Sequence, residues 1–194
     1  MASIDDVKKL REETGVSISE CKKALEQSNG DFPKAKEILR KKGMELADKR
    51  SERKAGAGII ESYIHPDKRV GVLLELRTET DFVARSAVFK ELAHELCLQV
   101  AAMKPLYLSE EDIPEEFLDG EKKIYQEQLK DSGKPEKIVS QVIEGKLKKY
   151  KEQVSLLSQV WVKDDTKTIK DLVNEYVAKL GENIIVKRFI RFEI

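Results

Sequence analysis

Ala57-Gly58-Ile59-Ile60-Glu61-Ser62-Tyr63-Ile64 and Val70-Gly71-Val72-Leu73-Leu74-Glu75-Leu76-Arg77-Thr78 are apolar, β-branched-rich runs separated by His65-Pro66-Asp67-Lys68-Arg69. Pro and Asp in so short a gap form a turn, so the pair predicts an antiparallel hairpin. At the far end of the chain, Ile184, Val186, Arg188, Ile190, Phe192 and Ile194 alternate with a second set, which predicts one more strand. Helical spacing dominates in between. Val88, Leu92, Leu96 and Val100, joined by Phe89 and Ala93, predict a helix over Ala87–Met103, capped by Ser86 and ended by Pro105. Ile169–Leu180 reads as an amphipathic helix stopped by Gly181. These elements make the core α+β, a small antiparallel sheet of about three strands with packed helices.

The middle of the chain adds a helical pair. Pro114 opens one helical region that runs to Asp131, Ser132-Gly133-Lys134-Pro135 breaks it, and a further helix spans about Glu136 to Leu156. Ile124, Leu129, Ile138, Val142 and Leu147, with charges between them, predict a helical hairpin over about 115–156 that projects from the sheet. Tyr107 and Leu108 suggest a short extended piece, and Trp161-Val162 precede a polar turn at Lys163-Asp164-Asp165.

Residues 3–43 read as three short helices. Ser3 with Asp6 and Ser17 with Glu20 fit the capping box, in which a hydroxyl caps a first-turn amide and the acid reaches back. Ile4, Val7 and Leu10 share one face, Ile18, Cys21 and Leu25 another, and Ala35, Ile38 and Leu39 a third. Asp31 caps the last helix, Pro33 fits its first turn, and Gly15, Asn29-Gly30 and Gly43 provide left-handed helix ends. The expected organisation is a three-helix, ubiquitin-associated-like domain over 1–43, a charged tether over 44–56 and the α+β core over 57–194. A unit of about 40 residues is too small to enclose a catalytic pocket, which points to binding.

Composition narrows the function. The 194 residues carry 36 basic and 36 acidic side chains, a formal net charge of zero. Residues 1–56 are net +3 and residues 57–194 net −3, so the split follows the expected domain boundary. No apolar run approaches the ~18 to 20 residues of a membrane span, and no signal peptide is recognisable. A cytoplasmic, reduced protein away from membranes is expected. Cys21 and Cys97 cannot build a disulfide framework or a metal site. Neither GxxxxGK[ST] nor GxGxxG occurs, and His65 and His94 lack metal-ligand spacing. No nucleophile and base are paired in the sequence. A binding protein without cofactor, metal or catalytic residues is expected rather than an enzyme. Lys34, Lys36, Arg40, Lys41 and Lys42, with Lys49, Arg50, Arg53 and Lys54 of the tether, form the surface for an alternative nucleic-acid role. Absence of paired aromatics for base stacking counts against it.

One segment stands apart: Thr78-Glu79-Thr80-Asp81-Phe82-Val83-Ala84-Arg85-Ser86, between strand and helix. Such junctions are exposed and rigidly held, which suits function. Two readings stay open. Either Thr80 or Asp81 is a helix cap with Phe82 turned into the core, or the acid and the aromatic are presented together to a partner.

Thr80-Asp81-Phe82-Val83-Ala84-Arg85 resembles a signature of the bacterial elongation factor Ts family. Leu10-Arg11-Glu12-Glu13-Thr14-Gly15 with Cys21-Lys22-Lys23-Ala24-Leu25 resembles its first signature. Gly71-Val72, Glu75-Leu76, Glu144-Gly145-Lys146-Leu147, Gly181-Glu182-Asn183-Ile184, Arg188-Phe189 and Arg191-Phe192 follow in family order, so the resemblance covers essentially the whole chain. Four departures are visible. Ile18 and Ser19 replace a usual Met pair, Ser86 replaces an Asn, Gln159-Val160-Trp161 replaces a QPF-like stretch, and the chain is similar to short members without a second half-core.

The resemblance implies guanine-nucleotide exchange on elongation factor Tu, in its GDP-bound and nucleotide-free forms, without covalent chemistry. It implies that Lys8, Val16, Ser17, Ile18 and Ser19 of the small domain contact the partner's GTPase domain. It implies that Thr80, Asp81, Phe82 and Val83 reach the switch region, where Phe82 wedges between helices and dislocates the partner's Mg²⁺. No direct nucleic-acid contact is implied. A symmetric homodimer through the core sheet is the arrangement that could replace the missing half-core.

Overall fold

A computed structural model of the chain describes residues 3–130 and 135–194. In chain order the elements are α1 (Ile4–Thr14), α2 (Ile18–Gln27), α3 (Phe32–Arg50), β1 (Ala57–Ile64), β2 (Val70–Thr78), α4 (Asp81–Ala84) and α5 (Ala87–Met103). There follow α6 (Glu115–Leu129), α7 (Glu136–Val154), β3 (Val160–Trp161), β4 (Asp164–Thr168), α8 (Ile169–Leu180) and β5 (Ile184–Glu193). The expected break at Ser132-Gly133-Lys134, with Asp131 before it, lies outside the described residues.

Side-chain caps start the first three helices. Ser3 Oγ accepts from the Asp6 amide at 3.0 Å, Ser17 Oγ from Glu20 at 3.4 Å and Asp31 Oδ1 from Lys34 at 2.9 Å. The return half of the Ser17 box is not made. Glu20 is taken instead by Lys23 at 3.0 Å and by Lys42 of α3 at 3.1 Å, a charge-assisted pairing that outcompetes a neutral amide. Val7, Leu10, Cys21, Ala24, Leu25, Ala35 and Leu39 close a small core of their own. Ile4 and Ile18 do not join it and stay exposed.

Gly43 corrects an expectation. It does not end the helix, because α3 runs through it to Arg50. Gly43 is buried there, and a Cβ built on it would lie 3.5 Å from the Ala178 methyl of α8. The missing side chain serves close helix packing rather than a stop.

The sheet has the order β1-β2-β5, antiparallel throughout. Gly58 is required by the hairpin, since a Cβ there would sit 2.3 Å from the Leu76 carbonyl oxygen. The inner face, with Val72, Leu74, Leu76, Ile184 and Val186, packs on Phe89, Leu92, Leu96 and Val100 of α5 and on Ile169, Leu172 and Val177 of α8. A bulge in β5 opposite Glu75 and Leu76 breaks the expected alternation. Lys187 is the extra residue, so Ile184 and Val186 face inward whereas Arg188, Ile190 and Phe192 face outward. One strand thus serves two faces.

Helices α6 and α7 pack against each other as the helical hairpin. The stretch read as a plain polar turn after Trp161-Val162 is a two-stranded ribbon of β3 and β4. Buried Gln99 on α5 anchors it. Its amide donates to Gln159 Oε1 at 3.1 Å and to the Val160 carbonyl at 3.0 Å, and accepts from the Val162 amide at 3.0 Å.

Candidate functional site

Strand β2 stops at Thr78 and α4 starts at Asp81, so the backbone turns over two residues. Thr80 has extended dihedrals and caps α4, with the Val83 amide donating to its Oγ1 at 3.4 Å. The next two side chains divide sharply. Val83 is only 8% exposed and Ala84 is buried, both within the main core. Phe82 is 85% exposed. The capping half of the simpler reading therefore holds, but Phe82 does not turn into the core. Asp81 stands beside it in water and pairs with Arg85 at 3.0 Å.

The cross-strand pairing of Thr78 with Ile184 brings the turn after α8 against this junction. Gly181 takes φ +75°, the left-handed conformation that closes the helix, and Glu182 and Asn183 follow. Glu182 Oε2 accepts from Thr78 Oγ1 at 2.8 Å and from the Thr80 amide at 3.0 Å, while its Oε1 accepts from Thr80 Oγ1 at 2.7 Å. Glu79 Oε1 in turn accepts from the Asn183 amide at 2.7 Å. The two segments hold each other by exchanging an acid for an amide. Burial pushes the Glu182 carboxyl up, but the Thr80 and Thr78 hydroxyls and the Thr80 and Glu79 amides outweigh it and hold its pKa below the ordinary glutamate value. Asn183 Nδ2 also donates to the carbonyls of Ser51 and Arg53, at 3.3 and 2.8 Å, fastening the end of α3 to the same turn.

The residues expected on the small domain lie on α1, in the connection to α2 and at the start of α2. Lys8, Ser17, Ile18 and Ser19 are exposed, Ile18 to 54%, and Val16 is half-buried against the small core. The two groups belong to separate cores. They are joined by α3, whose 19 residues span ~28 Å at ~1.5 Å each. Between the small domain and α8 lies a cleft of about 440 Å³, with Val16, Leu39, Arg40, Met44, Asp171 and Lys179 in its lining. Its charges are matched: Arg40 meets Asp171 at 2.7 Å, Lys36 meets Glu13 at 2.6 Å and Lys167 meets Glu175 at 3.0 Å.

Cys21 and Cys97 are both buried, and burial followed by the Glu61 charge pushes the Cys97 thiol up to about 12, the environment of an unreactive thiol. Among the described residues no cluster of His, Cys, Asp and Glu could hold a metal ion, and no helix is long and apolar enough to cross a membrane. What the sequence reading missed is the clamp formed by Glu79, Glu182 and Asn183. Its signal was an acid and an amide directly after a helix stop, next to a strand whose partner ends in Thr78.

A sequence model described as Elongation factor TS matches residues 7–194. Elongation factor Ts of Thermotoga petrophila is 58% identical over 192 residues, covering 99% of this chain and 96% of that protein. Elongation factor Ts of Thermodesulfovibrio yellowstonii is 53% identical over 188 residues, covering 97% and 94%. That of Thermosipho melanesiensis is 50% identical over 194 residues, covering 100% and 99%.

Proposed function

Because the chain belongs to the elongation factor Ts family, we propose that it is a guanine-nucleotide exchange factor for elongation factor Tu, using the Asp81-Phe82 tip as its working element. The observation that carries this reading is an aromatic left 85% exposed on a short helix whose neighbours Val83 and Ala84 are buried. Exposing phenylalanine to water is unfavourable unless a partner covers it. Burying an aromatic removes roughly 150 to 250 Å² from water. At ~25 cal/mol/Å² that supplies a gross ~4 to 6 kcal/mol, before docking and ordering costs.

The mechanism proceeds in three steps. The small domain, with Lys8, Val16, Ser17, Ile18 and Ser19, docks on the GTPase domain of the GDP-bound partner. Phe82 then wedges into the switch region and Asp81 disturbs the groups that support Mg²⁺. Magnesium demands near-ideal octahedral geometry, so a small shift of those groups releases it, and the GDP phosphates lose their countercharge. GTP binding restores the site and expels the exchange factor, since the two ligands weaken one another by the same factor. The chain breaks no covalent bond, takes no cofactor, needs no nucleic-acid contact and works in the cytoplasm alongside its partner.

A second copy of this chain is the proposed occupant of the outer sheet face. Ile60, Leu73 and Ile190 line a hollow of about 350 Å³ on that face, and Phe192 extends its exposed apolar surface. At its centre Glu75 pairs with Arg188 at 2.7 Å and with Arg77 at 2.6 Å. Because Glu75 is already paired within the chain, the apolar surround is what a second copy would cover across a two-fold axis.

The test of the exchange reading is release of a fluorescent GDP analogue from purified elongation factor Tu. Release accelerated by catalytic amounts of this chain supports it, and an unchanged rate at saturating chain overturns it.

A further inference from the structure

We propose that Glu182 is the positioning residue of the exchange loop: its carboxylate fixes the first turn of α4 and so sets the direction in which Phe82 leaves the core. The inference rests on the Phe82 wedge.

A helix of four residues cannot hold itself, because nucleation fixes several dihedrals for each hydrogen bond gained. The intrinsic cap is weak, with the Val83 amide 3.4 Å from Thr80 Oγ1. Glu182 supplies what the helix lacks. It takes the Thr80 amide, the Thr80 hydroxyl and the Thr78 hydroxyl at 2.7 to 3.0 Å, on both carboxylate oxygens. Bonds to an ionised acceptor are roughly twice as strong as neutral ones. They immobilise the backbone two residues before Phe82, while Val83 and Ala84 immobilise it just after. Phe82 itself, standing in water, has no packing to orient it. Its aim is thus decided by its backbone, and Glu182 holds the polar side of that backbone. The lowered pKa of the carboxyl agrees with a group kept ionised by its donors.

Glu182 does not touch the partner in this arrangement, so its removal alters the rate of the exchange step rather than the encounter. Wedging is sensitive to placement, and about 1 Å of drift can cost up to about 100-fold in a step that depends on fixed geometry. The experiment uses the full chain with elongation factor Tu loaded with fluorescent GDP, comparing wild type, E182A, E182Q, F82A and the E182A/F82A double variant. E182A is expected to lower the saturating release rate by about tenfold with the half-saturating concentration unchanged. E182Q, which keeps one acceptor oxygen and the side chain's shape, falls between. The double variant is expected to match F82A within about twofold, the mark of residues acting as one unit.

Wild-type release by E182A while F82A is slow overturns the proposal and leaves the wedge intact. A defect of E182A that multiplies fully with that of F82A overturns it too, since Glu182 would then act elsewhere. Wild-type release by F82A sinks the wedge and this inference with it. Where E182A melts below the assay temperature, E182Q carries the same comparison: a lowered maximal rate supports the proposal, and a wild-type rate overturns it.

Discussion

Arg40 Nη2 on α3 lies 2.7 Å from Asp171 Oδ2 on α8, and the same oxygen accepts from the Thr168 amide at 3.0 Å. Residues 131 positions apart are thereby joined at the start of α8, where the acid already serves as a helix cap. The pair stitches the small domain to the core. Its cationic end is 40% exposed and its acid 11%, so solvent screens it in part.

Arg40→Met is accordingly expected to loosen the small domain without unfolding either core. The loss is about 0.5 to 1 kcal/mol after screening. Trypsin should cut faster after Lys49, Arg50, Arg53 or Lys54, with the global melting curve almost unmoved. An unchanged cleavage rate rules out the stitch.

Phe82→Ala is expected to leave the melting temperature where it is, because an exposed ring makes little native contact to lose. GDP release from elongation factor Tu should slow in stopped-flow measurements. Asp81→Ala shares the expectation, since its ion pair with Arg85 is exposed on both sides and contributes less than about 1 kcal/mol. A loss of activity that tracks a loss of folded protein would contradict both.

Gly58→Ala tests the sheet. The added methyl overlaps the Leu76 carbonyl oxygen, a backbone atom that cannot rotate away. Strain of about 2 kcal/mol is expected, lowering the melting temperature by about 5 °C. Calorimetry that shows no change would mean that β1 can shift as a whole.

Acid stability should carry the mark of Glu182. Its folded pKa lies below the ordinary value of 4.5, so its contribution is fully present above that value and fades as pH falls through the lowered one. Wild type should therefore melt above E182Q near neutrality, and the gap should close as pH falls below 4.5 and through the lowered pKa. A gap that stays constant with pH would assign the effect to shape rather than charge.

The outer sheet face is tested by its oligomeric state. Wild type is expected to sediment near twice the 22.2 kDa chain mass, and Leu73→Glu or Ile190→Lys near the single mass. Burying either new charge without a partner would cost several kcal/mol. A monomeric wild type at high concentration removes the proposal.

Much of this architecture was legible because period and punctuation agreed. Ser86, the apolar ladder from Val88 to Val100 and Pro105 bounded α5, and Ile169 to Gly181 bounded α8 in the same way. What escaped depends on a second element brought alongside. Gly43 looks like a stop until α8 lies against it. Glu20 looks like half of a box until Lys42 arrives. The exposure of Phe82 could not be decided from a segment in which Val83, the next residue, is equally apolar and is buried. Glu182 is distant in sequence from the loop it holds, so only the pairing of Thr78 with Ile184 reveals it.

The bulge at Lys187 makes the last strand frame-dependent, like a zipper with one extra tooth. Upstream of it the even-numbered apolar residues Ile184 and Val186 are dry; downstream the even-numbered Ile190 and Phe192 are wet. Deleting Lys187 alone would leave both faces as they are, because Arg188 would follow Val186 outward and keep its pairing with Glu75. Phe189 and Arg191 would stay on the inner side, and only the local bend and extra twist of the bulge would be lost. Lys187 thus sets the bend of the strand and not the make-up of its faces, which neither its substitution nor its deletion would exchange.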